Sequence, residues 1–396
     1  MSKILFVVAR PLEINTSASI RNKSMIEGLL QNGHTVDLVT AAPNIQHAAY
    51  DESLSVQGVH TIRIAMNNVQ KLAGLGGKNK LFLKLKSIAY KWMTRHEVYD
   101  HLKSLAYHTD RVNLADGQYD YIISSSDPKS SHLFALKLLE NQRESFKGKW
   151  IQIWGDPFLA DITQTNRNKR LIKNEEFRLL QGADLVFYVS KLTLEQQKKL
   201  YPAVASKMRY TPIPYVQENI TSNRALSEVT TVELAYCGDY SPSVRNLVPL
   251  YDAVNESNNL RLVICGGSDR PLQSTKTVHV KGRVPYSVTR EVENNADILV
   301  FLANRYGGQI PGKIYQYAGT NKPILFILDG EVEVLRSQFE EYGRFVFVNN
   351  TRESIQLGID SIIGSEKEYQ PLQEFSKRDI MRRFIDNAVE DAEESV

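Results

Sequence analysis

Cysteine is nearly missing from this chain: Cys237 and Cys265 are the only two among 396 residues. A disulfide-stapled scaffold is therefore excluded. Each thiol closes an apolar stretch and reads as a buried strand-end residue, in keeping with a reducing cytoplasm. Long hydrophobic runs are missing too. None approaches the roughly 18 residues that a membrane-spanning helix needs, the longest being of the size of 4–9 and 323–328. The opening Met-Ser-Lys-Ile-Leu-Phe-Val-Val-Ala-Arg is too short for a signal-peptide core and reads as a first buried strand. The expectation is a soluble, cytoplasmic protein. No G-x-G-x-x-G follows that strand, which excludes the dinucleotide fingerprint. No Asp-x-Asp pair ends a strand, and His96, His101 and His108 are not spaced to share one helical turn, so no metal site is expected. Nor does any aromatic stacking platform accompany the basic residues, which argues against nucleic acid.

What is present is ordinary globular usage, 42% hydrophobic and 23% charged, in a length that suggests two or three domains. The rhythm is apolar strand, polar turn, amphipathic helix, strand. Strands are expected at 3–9, 35–40, 121–124, 150–154 and 185–189, with helices from Ser17 or Ser19 to Gly33, at 130–140 and at 169–181. The polar, unpatterned 217–229 reads as a linker. The rhythm resumes with strands at 232–237, 261–265, 278–280, 297–303 and 323–328, and with helices opening near Ser243, at 287–295 and at Pro311. The predicted fold class is α/β, with two Rossmann-like doubly wound domains facing a cleft. Their bounds are 1–216 and 230–370, and a C-terminal helix at 371–396 crosses back to the first domain.

Ligands of such sheets sit beyond the carboxyl ends of the strands. The most informative stretch is accordingly 296–325, where a strand runs into Gly307-Gly308 and a helix opens at Pro311 with Lys313 in its first turn. Exposed backbone N–H groups, a helix start and an ammonium together suit a diphosphate. The plain alternative is a strand-to-helix turn with a solvated lysine.

The same stretch resembles the sugar-nucleotide signature of glycosyltransferase family 4, retaining enzymes of the GT-B fold, through Pro311, Lys313, Tyr317, Gly319, Pro323 and Ile324. Gly33-His-Thr-Val36, Ala183-Asp-Leu-Val-Phe-Tyr-Val-Ser190 and Tyr236-Cys-Gly-Asp-Tyr-Ser-Pro-Ser-Val-Arg-Asn246 resemble other family segments in the expected order. The resemblance implies a nucleotide-sugar donor, transfer with retention and no metal or other cofactor. It places Arg245 and Lys313 on the diphosphate, Gly307, Gly308 and Gln309 near the donor sugar, and Arg283 with Val284 at the nucleobase edge. Two departures stand out. The family's two glutamates fall at Gly308 and Gln316, so the ribose hydroxyls meet an amide where a carboxylate is usual. Its first basic residue after the opening glycine is Asp239 here.

In the first half, Trp154-Gly-Asp156-Pro follows a strand and Asp156 is the candidate for orienting an acceptor. Its alternative is an Asx-turn before proline. Asp127, in Ser-Ser-Asp-Pro after another strand, is a second acceptor candidate that also suits turn chemistry. The Thr16–Ser19 loop can bring Ser17 and Ser19 to an acceptor. Net charge is +3, yet 71–103 alone carries +6, leaving −3 for the rest. This stretch mixes Lys with Leu, Phe, Tyr and Trp, and so suits either an anionic membrane surface bearing a lipid-linked acceptor or a helix with a solvated lysine face. The reading is a glycosyltransferase of bacterial surface-polysaccharide type that acts on a saccharide or lipid-linked saccharide, cytoplasmic or peripheral on the inner membrane face. The alternatives are a non-catalytic GT-B-like scaffold and a sugar-nucleotide epimerase, for which the sequence shows no paired acid and base.

Overall fold

Strand β1 (Lys3–Val7) has no polar alternation, and Ile4, Leu5, Phe6 and Val7 are all at most 1% exposed. A strand covered on both faces belongs inside a parallel sheet, and it does. In the computed structural model, which describes residues 1–65, 96–162, 168–222 and 225–393, the chain divides into two compact units. One is Met1–Pro214 completed by a helix from Lys377; the other is Tyr215–Ser376.

The first unit adds β2 (Thr35–Ala41), β3 (His60–Ile64), β4 (Tyr121–Ser125), β5 (Lys149–Trp154), β6 (Leu185–Tyr188) and β7 (Met208–Tyr210). The sheet is ordered β3-β2-β1-β4-β5-β6-β7, and all of its pairs are parallel. Its order reverses between β1 and β4, the position at which such sheets bind ligands. Around it lie α1 (Ser17–Gln31), α2 (Leu114–Gly117), α3 (Ser130–Gln142), α4 (Lys169–Gly182) and α5 (Lys191–Leu200).

The second unit repeats the plan. Strands β8 (Val232–Cys237), β9 (Leu260–Cys265), β10 (Val278–Gly282), β11 (Ile298–Leu302), β12 (Ile324–Leu328) and β13 (Phe345–Asn349) form a parallel sheet ordered β10-β9-β8-β11-β12-β13. The helices are α6 (Val248–Asn255), α7 (Tyr286–Asn295), α8 (Lys313–Ala318), α9 (Val332–Phe339) and α10 (Arg352–Ile363). Each unit is a doubly wound α/β sheet, as the sequence rhythm indicates.

Several local readings change. The helix placed near Ser243 starts at Val248, because Ser241 and Arg245 close a tight loop by exchanging backbone bonds of 3.1 and 2.9 Å. The helix at Pro311 is the six-residue α8, too short for its dipole to form an anion site of its own. The start of the expected linker is held to the second unit. Asn219 N–H donates to Gly319 O at 2.8 Å, and Thr221 N–H to Asn321 Oδ1 at 3.0 Å. Most of the basic stretch 71–103, from 71 to 95, lies outside the described residues.

The helix from Lys377 is α11 (Lys377–Glu393), and it packs in the first unit along α1. Glu27 takes a 2.5 Å ion pair from Lys377, Asn32 Nδ2 donates to Arg378 O at 2.8 Å, and Phe384 meets Phe187 with ring centroids 4.4 Å apart. The helices approach so closely that a Cβ at Gly28 would sit 2.2 Å from Lys377 O. Alanine would gain about 1 kcal/mol in helix propensity, against an overpacking cost of about 1–3 kcal/mol at a rigid backbone contact. Gly28→Ala is expected to lower the thermal midpoint by a few degrees. A midpoint equal to or above wild type in scanning calorimetry would show that α11 yields easily.

Candidate functional site

In the first unit, α1 and the loops after β4 and β5 bring five ionisable groups together at the switch point: Arg21, Asp127, Lys129, Asp156 and Asp161. Lys129 is 9% exposed; its ammonium pairs with Asp127 and lies 3.7 Å from Asp161. Burial would lower the Lys129 pKa, but Asp127, Asp156 and Asp161 together raise it, so it is a fixed cation. Burial likewise pushes Asp127 up, while Lys129 and then Arg21 hold it below the ordinary carboxylate range. Asp156 goes the other way. Burial, then the neighbouring Asp127 charge, lifts it to about 7. The two carboxyls lie close enough to act on each other directly. A buried pair of like charges favours keeping one proton, and Lys129 on Asp127 assigns it to Asp156.

The surroundings hold this pair in place. Glu176, fully buried on α4, accepts from Phe158 N–H at 2.7 Å, Leu159 N–H at 3.0 Å and the Tyr201 hydroxyl at 2.7 Å. It thereby pins the loop that follows Asp156. Beneath lies a buried polar chain: Ser124 Oγ meets His132 Nδ1 at 2.8 Å and accepts from Trp150 Nε1 at 2.8 Å. His132 stacks on Trp154 at 4.4 Å; burial, then Lys129, lowers it to about 3, so the ring is neutral. Arg21 is 6% exposed, and its Nε and Nη2 have no hydrogen-bond partner among the described residues.

Asp127 and Asp156, read separately from the sequence, therefore form one pair. Arg21, Lys129, Asp161 and Glu176 were missed. Lys129 had a signal, a lysine two residues after a strand-end aspartate; Arg21, inside an ordinary helix, had none. Ser19 is committed elsewhere: its Oγ donates to Ile14 O at 2.6 Å, and its N–H meets the capping Thr16 Oγ1 at 3.1 Å. Ser17 is exposed in the first turn of α1.

In the second unit, glycines end three neighbouring strands. A Cβ on Gly266 would stand 1.9 Å from Gly238 O, so the backbones after β8 and β9 touch. Asp239 ties these ends together. It accepts from Gly267 N–H at 2.7 Å and pairs with Arg283, which follows β10 and is exposed, beside half-buried Val284. Arg245 lies close by, its Nη1 3.6 Å from the place of a Gly238 Cβ, and its buried Nε has no partner. The Tyr236 hydroxyl donates to Asp239 O at 3.2 Å. Burial outweighs the nearby Arg245 charge and pushes Tyr236 up to about 12.

Lys313 is not a free cation. It makes a 2.5 Å ion pair with Glu293, which is 3% exposed on α7, and sits 5.8 Å from the Tyr317 ring. Gln316 accepts from Val216 N–H at 3.0 Å. Gly307 takes a left-handed φ of 85°, and Asn304 Nδ2 holds Gln309 O at 2.9 Å. Both cysteines are free and buried, and they face each other as register partners of β8 and β9. Among the described residues, no His, Cys, Asp and Glu group could hold a metal ion, and no helix is long and apolar enough to cross a membrane.

No protein-family model and no curated protein matches the sequence. Solved structures match in fold. HepE of Anabaena, in complex with UDP and glucose, is 10% identical with a TM-score of 0.60, over 98% of this chain and 100% of its own. A glycosyltransferase of Rickettsia africae ESF-5 is 13% identical with a TM-score of 0.57, over 97% of each chain. A Listeria monocytogenes protein described as a UDP-N-acetylglucosamine 2-epimerase is 11% identical with a TM-score of 0.54, over 100% of this chain and 97% of its own. The chain has the two-domain α/β GT-B fold.

The raised Asp156 pKa has a defined effect on stability. The folded protein keeps a proton that the unfolded chain releases near pH 4. The resulting stabilisation is complete below about pH 4 and lost as pH climbs to about 7. Asp127, shifted down, acts oppositely and only at acid pH. Asp156→Asn keeps a donor toward Asp127 and cannot ionise. Its melting temperature is expected to change little between pH 5 and 8, where wild type falls by several degrees. Parallel curves for the two proteins would remove the shared proton.

Proposed function

We propose that this chain is a glycosyltransferase that moves a sugar from a nucleoside-diphosphate sugar to a saccharide hydroxyl, with retention at the anomeric carbon. The second unit takes the donor and the first unit the acceptor. The observation that carries the reading is Arg245, seated against Gly238 beside the touching strand ends of β8 and β9, with its buried Nε unpartnered. A buried donor without an acceptor is costly, and a diphosphate oxygen satisfies it with a charge-assisted bond. The crystal structures of HepE with UDP and glucose, and with UDP-glucose, support a nucleotide-sugar donor.

As the anomeric C–O bond breaks, negative charge collects on the departing diphosphate. Arg245 and the glycine N–H groups stabilise it, with Lys313 contributing once its bond to Glu293 loosens. Asp156, titrating near 7, is matched to exchange a proton with the acceptor hydroxyl at neutral pH. A lipid-linked acceptor and a role in bacterial surface polysaccharide belong to the same proposal. Their motive is the basic stretch 71–103.

One observation favours a second reading. An epimerase must remove a proton from a substrate carbon and return one, and two carboxyls sharing a proton can do both. Incubating the protein with UDP-glucose or UDP-N-acetylglucosamine, without acceptor, separates the readings: an epimeric nucleotide sugar in the NMR spectrum means epimerase.

Calorimetric titration with UDP, GDP, CDP and dTDP tests the donor site. One of them is expected to bind, and Arg245→Met to weaken it about tenfold or more, the size of one charge-assisted hydrogen bond. No binding by folded wild-type protein, or equal affinity in Arg245→Met, would overturn this assignment.

A further inference from the structure

Arg21 is the one buried cation of the first-unit cluster whose donors the chain leaves unused. Its guanidinium is desolvated; Asp127 and Asp156 lie near enough to act on it electrostatically, yet Nε and Nη2 meet no acceptor. The glycine after β5 makes room for it: a Cβ on Gly155 would come within 2.2 Å of Nη1 and 3.0 Å of Cζ. Arg344, buried in the second unit, also leaves Nε and Nη1 unused, but its Nη2 is anchored on Thr320 O and Lys322 O; among the described residues no such anchor holds Arg21, and each orphaned donor costs about 1–3 kcal/mol. These donors lie beside Asp127 and Asp156, at the carboxyl end of the sheet where its strand order reverses.

The charges of the cluster select the occupant. Lys129 is engaged by Asp127 and Asp161. Three carboxyls, those of Asp127, Asp156 and Asp161, surround Lys129, and Glu176 acts on it as well. A carboxylate or phosphate brought in would add a further buried negative charge beside them, which is expensive. A hydroxyl would not. Its oxygen accepts from Arg21 while its proton points to the ionised carboxylate, so that every group is satisfied.

We propose that Arg21, together with Asp127 and Asp156, forms a subsite in the first unit that holds a hydroxyl of a neutral sugar. The proposal rests on reading this unit as the acceptor side, and it names the acceptor class: a neutral glycosyl unit, not a uronate or a sugar phosphate.

The test is saturation-transfer NMR on the full-length protein with methyl α-D-glucopyranoside, methyl β-D-galactopyranoside and N-acetylglucosamine. Glucuronate and inorganic phosphate serve as anionic probes, and nucleotide binding is measured on the same samples. At least one neutral sugar is expected to receive saturation and the two anions none. Arg21→Met and Gly155→Ala should each cut the signal at least fivefold while nucleotide affinity in the second unit stays unchanged. Gly155→Ala keeps the positive charge and only displaces the guanidinium, so it serves if Arg21→Met fails to fold. Silence from all neutral sugars, a full signal in a folded Arg21→Met, or preferential binding of an anion would each overturn the subsite. Loss of nucleotide binding by wild type would instead strike the functional reading as a whole.

Discussion

The contact between Asp127 and Asp156 is the constraint on which the first unit's chemistry depends. Two buried carboxyls near each other resist ionising together, and which one keeps a proton is decided by Lys129, held on Asp127 and close to Asp161. Burial, then the Asp127 charge, sets the near-neutral titration of Asp156, and burial, then Lys129, keeps His132 below it neutral. Glu176 keeps the geometry from relaxing, because it accepts from two backbone N–H groups of the loop that follows Asp156 and is itself held by the Tyr201 hydroxyl. Buried charge of this kind adds little to stability, and its value lies in holding reactive groups at set protonation states.

The second unit solves a different problem. The ends of β8 and β9 come so close that position 266 must be glycine, since a Cβ there would meet Gly238 O at 1.9 Å. Where a basic residue is usual in the resembled family, Asp239 acts as a tie instead, joining the loops after β9 and β10 through Gly267 and Arg283. The positive charge removed there is not restored at Lys313, which Glu293 neutralises. Arg245 keeps a buried, unused donor beside the touching strand ends; Arg344, the other buried cation with unused donors among the described residues of this unit, is anchored through Nη2 on Thr320 O and Lys322 O.

Much of the fold was legible because parallel strands buried on both faces give unbroken apolar runs, as in β1, β6, β11 and β12. The strands that escaped, β3, β7 and β13, lie at sheet edges, with one side open and mixed sequences. Asp156 and Asp127 could be picked out since aspartates after strands stand where ligands bind. Their pairing could not, because residues 29 positions apart in sequence meet only through sheet order, β4 beside β5. Arg21 was invisible for a related reason: burial of a helical arginine depends on what crosses above it, here the backbone at Gly155. Lys313 read as free because its partner sits on another helix.

The return of α11 to the first unit has a consequence for synthesis. The second unit is contiguous in sequence from Tyr215 to Ser376, whereas the first is not complete until the chain after Lys377 has been made. On a growing chain, the second unit can close while the groove along α1 and the ring of Phe187 still await Phe384 and its neighbours. The order of emergence is thus the reverse of the order of completion. The half that begins first finishes last, and an apolar surface near the amino terminus stays uncovered for most of translation.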